Sequence, residues 1–305
     1  MKMKRLKLSL ESGGIGIFIS YLALTARIVL ISFEKIMVRM LGDRQGDVDV
    51  NLAATFLFFI FGSIILTPLA LFIPIKNLSF LLPCYASSLL YTVYSYSFVT
   101  SLATGETSLV TPIHSLNGLI LVTFSFLFLS ESFTITKVIG VLLMIVGVSL
   151  LKNVMNPFFS IKCVFTDIPS RFMFLAITSQ SLGRIIDKYF LPGVHPITYS
   201  TVLYFLISFN LIVILSFRRK IKTIVNVFHN KPILSIFSGF INGFSYLFLL
   251  YALLKIDLSI AEPITNLSLI LTLLFSVLFF RENILEKIPG TTLILVGGWF
   301  LYLNF

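Results

Sequence analysis

The chain has 305 residues, 57% of them hydrophobic and only 12% charged, with a mean hydropathy of +1.00 and a formal net charge of +10. Soluble domains carry about 25% charged residues, so a water-facing surface cannot be assembled here and lipid is the expected solvent. The positive charge lies at Lys2, Lys4, Arg5 and Lys7 and in the stretch from Arg218 to Lys231, where it meets lipid headgroups rather than nucleic acid. Two cysteines, Cys84 and Cys163, argue against a disulfide framework or a Cys-ligated metal.

A helix needs ~20 apolar residues to cross a bilayer. The apolar runs then divide into about ten spans, near 14–38, 51–73, 79–102, 107–129, 135–152, 168–190, 197–217, 233–254, 259–280 and 287–304. The first follows a basic N-terminus but contains Arg27 and lacks a small-x-small cleavage site, so it reads as a retained span and not a signal peptide. Loop chemistry marks the breaks: Gly42 to Asp47, Ile75-Lys76-Asn77, Ala103 to Glu106, Asn156-Pro157, Leu191-Pro192-Gly193, the basic stretch, and Lys255-Ile256-Asp257. The predicted fold class is an all-α polytopic membrane protein.

Ionisable groups inside lipid are costly, so each is a candidate functional residue. In span one, Ser20, Arg27 and Glu34 recur at seven-residue spacing on one helix face. There Arg27 can take a carboxylate or phosphate in a forked hydrogen bond, or form a structural ion pair. Lys35 and Lys188 are expected to snorkel to the headgroups. Span three offers Ser87, Tyr91, Tyr94 and Ser95, and the two tyrosines lie too deep to be interface anchors. Span four gathers Thr111, His114, Ser115 and Asn117 after Pro112, which removes a backbone donor and bends the helix. His114 is either a proton shuttle or a hydrogen-bonded structural histidine.

Span six carries Gln180, Arg184, Asp187 and Lys188, and its Arg184 and Asp187, three apart, are expected to neutralise each other. Span eight offers Ser238, Asn242, Ser245 and Tyr246, and span nine Glu262, Thr265 and Asn266 around Pro263. Aromatic rings and amides of this kind suit an organic substrate with a polar or cationic end. Glu262 is the candidate coupling carboxylate, since burial would favour its protonated form. Glu131 and Glu282, beside the capping types Ser130 and Asn283, are expected to satisfy helix N-termini. Gly140 and Gly147 in span five, and Gly290 and Gly297 in span ten, mark close helix packing.

The chain also repeats itself. Pro112-Ile113 returns as Pro263-Ile264, Phe124-Ser125 as Phe275-Ser276, Glu131 as Glu282 and Asn153 as Asn304, each pair 151 residues apart. Glu34-Lys35 and Asp187-Lys188 extend the match, 153 apart. The unit is five spans, and an odd number of crossings inserts the second copy upside down. The units run over 14–152 and 168–304, joined by a loop at 153–167.

The stretch Leu127-Phe128-Leu129-Ser130-Glu131-Ser132, with Gly140 and Ile145-Val146-Gly147-Val148 beyond it, recurs as Phe279-Phe280-Arg281-Glu282-Asn283, Gly290 and Leu295-Val296-Gly297. The chain resembles, over nearly its whole length, the paired EamA-type domains of the drug/metabolite transporter superfamily. The resemblance implies ten helices in the cell (inner) membrane with both termini cytoplasmic. It also implies a cavity lined by spans one, three, four, six, eight and nine, with five and ten peripheral. Members move amino acids, other metabolites, nucleotide sugars or lipophilic cations, so the family alone names no substrate.

The expected function is a secondary carrier working by alternating access on a small polar, amino-acid-like metabolite, in the export direction. Carriage of quaternary or lipophilic cations is the alternative. A membrane-embedded enzyme is disfavoured, because the chain has three histidines, no aspartate-rich motif and no HExxH, and no P-loop suggests ATP use. No cofactor is expected. The expected partners are the lipid bilayer, a small-molecule substrate and protons as coupling ion, with the chain a monomer or weak homodimer. Charge leaves orientation contested, since the basic stretch at 218–231 falls on the side opposite the N-terminal cluster.

Overall fold

The computed structural model describes residues 2–74, 78–121, 124, 134–151, 167–190, 194–256, 261 and 264–302. These form eleven α-helices: α1 (Lys2–Leu41), α2 (Val48–Leu71), α3 (Leu81–Thr104), α4 (Thr107–His114), α5 (Ile135–Leu151), α6 (Ile168–Phe190), α7 (Pro196–Phe217), α8 (Ile221–Asn230), α9 (Pro232–Leu253), α10 (Ser268–Phe280) and α11 (Ile288–Tyr302). Helix is the expected outcome where lipid offers backbone groups no partner. Caps mark several of the starts. Asp47 accepts from Asp49 N and Val50 N at the head of α2, and proline opens both α7 and α9.

The largest contacts between the repeats come in matched pairs. Thus α3 packs on α6 as α9 packs on α1, α3 on α7 as α9 on α2, and α4 on α6 as α10 on α1. The glycines make the inversion explicit. A Cβ on Gly147 would meet the Gly290 carbonyl oxygen at 2.7 Å, and one on Gly297 would meet that of Gly140, also at 2.7 Å. Exchanging Gly140 for Gly290 and Gly147 for Gly297 turns one contact into the other, with α5 and α11 running in opposite directions. That is the signature of a two-fold axis lying in the membrane plane.

Two spans read as continuous in the sequence are broken. Residues 107–114 and 117–121 are helical, with a turn at 115–116, and residues 264–266 are separated from α10 by a turn at 267. The same shortened hydrogen bonds mark both breaks. Leu116 N donates to Ile113 O and Leu119 N to Leu116 O, as Leu267 N does to Ile264 O and Ile270 N to Leu267 O, all at 3.0–3.1 Å. Pro112, within α4, lacks the N–H needed to continue the ladder there. The basic stretch from Arg218 to Lys231 is likewise not a plain loop. Ile221, Ile224, Val225, Val227 and Phe228 recur at helical spacing, form α8, and pack on α2 through the Phe61–Phe228 ring stack at 5.5 Å.

Cross-helix contacts assign the ends of the bundle. At one end Lys231 Nζ donates to Met40 O and Leu41 O at the close of α1, Arg218 pairs with Asp49, and Ser101 Oγ donates to Pro169 O. At the other end His195 meets Tyr251, Phe80 meets Tyr199, and the Gly16 backbone approaches Lys255. The start of α1 and the finish of α11 share this second end.

Candidate functional site

Around the seam between the repeats, α1, α2, α3, α6, α7 and α9 enclose a cavity of about 40 Å³. One water needs roughly 10–15 Å³, so this space holds a few waters, and a metabolite requires the helices to part. Arg27, Ile31 and Glu34 enter from α1, Tyr91, Tyr94, Ser95 and Phe98 from α3, and Gln180 and Arg184 from α6. The lining is completed by Phe58 and Phe59 of α2, Leu203 and Tyr204 of α7, and Asn242, Ser245 and Tyr246 of α9.

The wall is aromatic along one side. Phe59 packs edge-on to Tyr204 at 4.9 Å, Tyr204 stacks on Tyr246 at 5.5 Å, and Tyr246 and Tyr94 each meet Tyr91 edge-on near 6 Å. Apart from Lys137 on the peripheral α5, the buried charges among the described residues are Arg27, Lys35 and Arg184 against Glu34 and Asp187. The described cluster therefore keeps one cation in excess.

Its polar atoms are unevenly satisfied. Arg27 Nη1 donates to Ser245 O at 2.6 Å and to Ser245 Oγ at 3.3 Å, while Arg27 Nε has no hydrogen-bond partner among the described residues. Asn242 Oδ1 accepts from the Tyr204 hydroxyl at 2.8 Å, and Asn242 Nδ2 has no acceptor among the described residues. Gln180 Oε1 is likewise a buried acceptor without a donor among them. Unpaired buried groups of this kind cost about 1–3 kcal/mol each. In a cavity wall they are the groups a ligand satisfies.

Asp187 behaves differently from the sequence expectation. Its two oxygens accept four hydroxyls, from Tyr199 at 2.5 Å, Ser87 at 2.6 Å, Tyr91 at 2.7 Å and Tyr246 at 2.8 Å. Where the sequence leads us to expect neutralisation by Arg184, the carboxylate is held by hydroxyls from α3, α7 and α9. Lys35 is also corrected: it is 2% exposed and does not reach the headgroups, because its position in the last two turns of α1 faces the bundle.

His114, Asn117 and Asn266 do not line the cavity. His114 lies against Phe98 at 5.4 Å and Tyr94 at 6.5 Å, one layer behind the wall, with its Nε2 unpartnered among the described residues. Asn117 Oδ1 accepts from Ser181 Oγ and joins the two halves structurally. Glu131, Glu262 and the Lys188 side chain lie outside the described residues. Sequence reasoning missed Tyr199 and Tyr204, two tyrosines among the serines and threonines of span seven; the depth of Tyr204 in that run was the available signal.

Glu282 caps a helix, though not the one that follows it. Its carboxylate accepts from Thr107 N at 3.0 Å and Ser108 N at 2.8 Å at the head of α4, in the other repeat, and pairs with Arg39 of α1. Burial pushes this carboxyl up, but the bonds from Ser108 and Arg39 more than offset it and hold the group below its ordinary range.

Two inverted helical units around a charged cavity define a polytopic membrane carrier. The model of the EamA-like transporter family matches residues 36–152 and 170–303, and the chain belongs to that family, a membrane transporter of the drug/metabolite superfamily. No curated protein matches it. A solved crystal structure has a similar fold, with a TM-score of 0.58 at 13% identity over 94% of this chain and 96% of the other.

Proposed function

We propose that this transporter carries a small zwitterionic, amino-acid-like metabolite by alternating access, in the export direction. What supports this reading is the convergence of opposite needs at Ser245. Arg27 is anchored there with its Nε still open, Asn242 Nδ2 stands one turn away on α9, and the Glu34 carboxylate approaches the same serine hydroxyl. A substrate carboxylate satisfies the two donors, and its ammonium faces Glu34 and Gln180 Oε1. The aromatic wall favours a cation as the second reading. Against that, the cations outnumber the acids, and Asp187 is already taken by four hydroxyls.

Protein reconstituted in liposomes and offered labelled neutral amino acids, quaternary ammonium ions and nucleotide sugars tests the reading. Exchange of zwitterions is expected, with Arg27→Ala lowering it at least ~10-fold, the loss of one charge-assisted contact. Uptake of quaternary cations without zwitterions would overturn it. Both termini are taken as cytoplasmic, in the cell membrane, on the charge of the N-terminal basic cluster, whereas Arg218 and Lys231 of the opposing stretch are engaged with Asp49 and the close of α1.

A further inference from the structure

Glu34 and Asp187 are repeat mates, 153 residues apart, yet their surroundings differ. All lone-pair directions of Asp187 are occupied by four donated hydroxyls, so protonating it means turning one donor away. At Glu34 the corresponding donors are missing. Tyr91 is replaced by Asn242, whose oxygen accepts from Tyr204. Ser238, in place of Ser87, donates to Ser235 O on its own helix. Ser95, in place of Tyr246, donates to Tyr91 O on its own helix. Glu34 is 6% exposed and faces the cavity, and against the four hydroxyls on Asp187 the donor beside it is the single Ser245 hydroxyl, which Arg27 also engages.

We propose that Glu34 is the proton-carrying acid of the transport cycle, alternately holding a proton and the substrate ammonium, while Asp187 stays a fixed anion. This rests on the zwitterion reading above. The step is a simple exchange: the ammonium arrives, the carboxylic O–H of Glu34 gives its proton to water on the side to which the cavity is open, and the ion pair forms. Proton and substrate then compete for one group, which gives antiport and lets an inward proton gradient drive export.

The groups facing Glu34 agree with that role. Arg27 and Lys35 on α1, the Ser245 hydroxyl of α9 and Arg184 on α6 surround it, with the hydroxyls of Tyr94 on α3 and Tyr204 on α7 beyond. His114 of α4 faces Lys35 rather than Glu34, and α10 has no titratable residue in its sequence. Phe58 and Phe59 of α2 add apolar wall to the same cavity.

Acid-minus-base infrared difference spectra of the protein in liposomes, between about pH 5 and about pH 9, read carboxyl protonation without needing a known substrate. A protonated-carboxyl band is expected in the native chain, in Asp187→Asn and in Glu262→Gln, and its loss in Glu34→Gln. Glu34→Asp, which keeps an acid and so covers a misfolded glutamine variant, should shift the midpoint of the band. A band unchanged by either Glu34 variant, or one lost only in Glu262→Gln or Asp187→Asn, overturns the proposal. Adding a mixture of neutral L-amino acids at the midpoint should erase the band. A band that titrates with Glu34 but ignores the amino acids would retain the proton site and reject the zwitterion reading.

Discussion

Single residues carry the chemistry here through what they leave unpaired. Arg27 reads from the sequence as either ligand or ion-pair member, and in the structure one of its nitrogens is held by Ser245 while another has no partner among the described residues. Glu282 is the clearest structural case. Glu282→Gln removes the Arg39 pair and weakens the α4 cap, and a loss of roughly 1–3 kcal/mol is expected in thermal unfolding of the purified protein. The sign of its pH dependence follows from the lowered folded-state value. Its contribution is complete above the ordinary glutamate value of about 4.3 and disappears as pH falls through the lower folded value. Melting curves between about pH 7 and about pH 3 should therefore converge for the native chain and Glu282→Gln at the acid end. A gap that persists there would contradict the assignment.

At the scale of helices, packing between α5 and α11 depends on backbone approaching backbone. A Cβ on Gly290 would sit 2.5 Å from the Gly147 carbonyl oxygen, and no flexible side chain can give way. In lipid, helix association relies on such close contact, because burial of apolar surface from water is not available to drive it. Gly290→Ala is expected to cost about 1–3 kcal/mol by overpacking. Gly298→Ala, which meets nothing within 4 Å, is the control and should be neutral by the same melting measurement. The paired breaks at Leu116 and Leu267 place non-helical backbone at repeat-related points. Such backbone is tolerated at membrane depth only inside protein or beside a cavity.

Across the whole molecule, inversion turns one unit into two halves that can rock about a shared site, and the differences between the halves decide what that site does. Asp187 and Glu34 show this most directly, since the same backbone position is sealed by hydroxyls in one half and open in the other. The end contacts also ease the charge conflict over orientation. Arg218 and Lys220 face Asp49, Lys231 caps α1, and α8 lies along α2, so much of that basic stretch is engaged within the fold. With both termini cytoplasmic, reporter fusions at each terminus should be active inside the cell. A cysteine replacing Lys222 on α8 should react with an impermeant maleimide added outside. Labelling from the cytoplasmic side only would reverse the assigned orientation.

Much of the architecture was legible before any coordinates. Low charge and long apolar runs dictate helices in lipid, and the 151-residue repeat with an odd span count dictates inversion, because both follow from local composition and counting. Arg27, Tyr91, Tyr94, Gln180, Arg184, Asn242 and Tyr246 all came out of the sequence, and all line the cavity, since deep polar residues in apolar spans have few other places to go. What the sequence could not decide is who meets whom. That Asp187 is held by hydroxyls from three other helices, that Lys35 turns inward, that Glu282 caps a helix in the opposite repeat, and that Glu34 is left open are matters of helix rotation and crossing. Those are settled by packing between residues as many as 243 positions apart, and no local pattern encodes them.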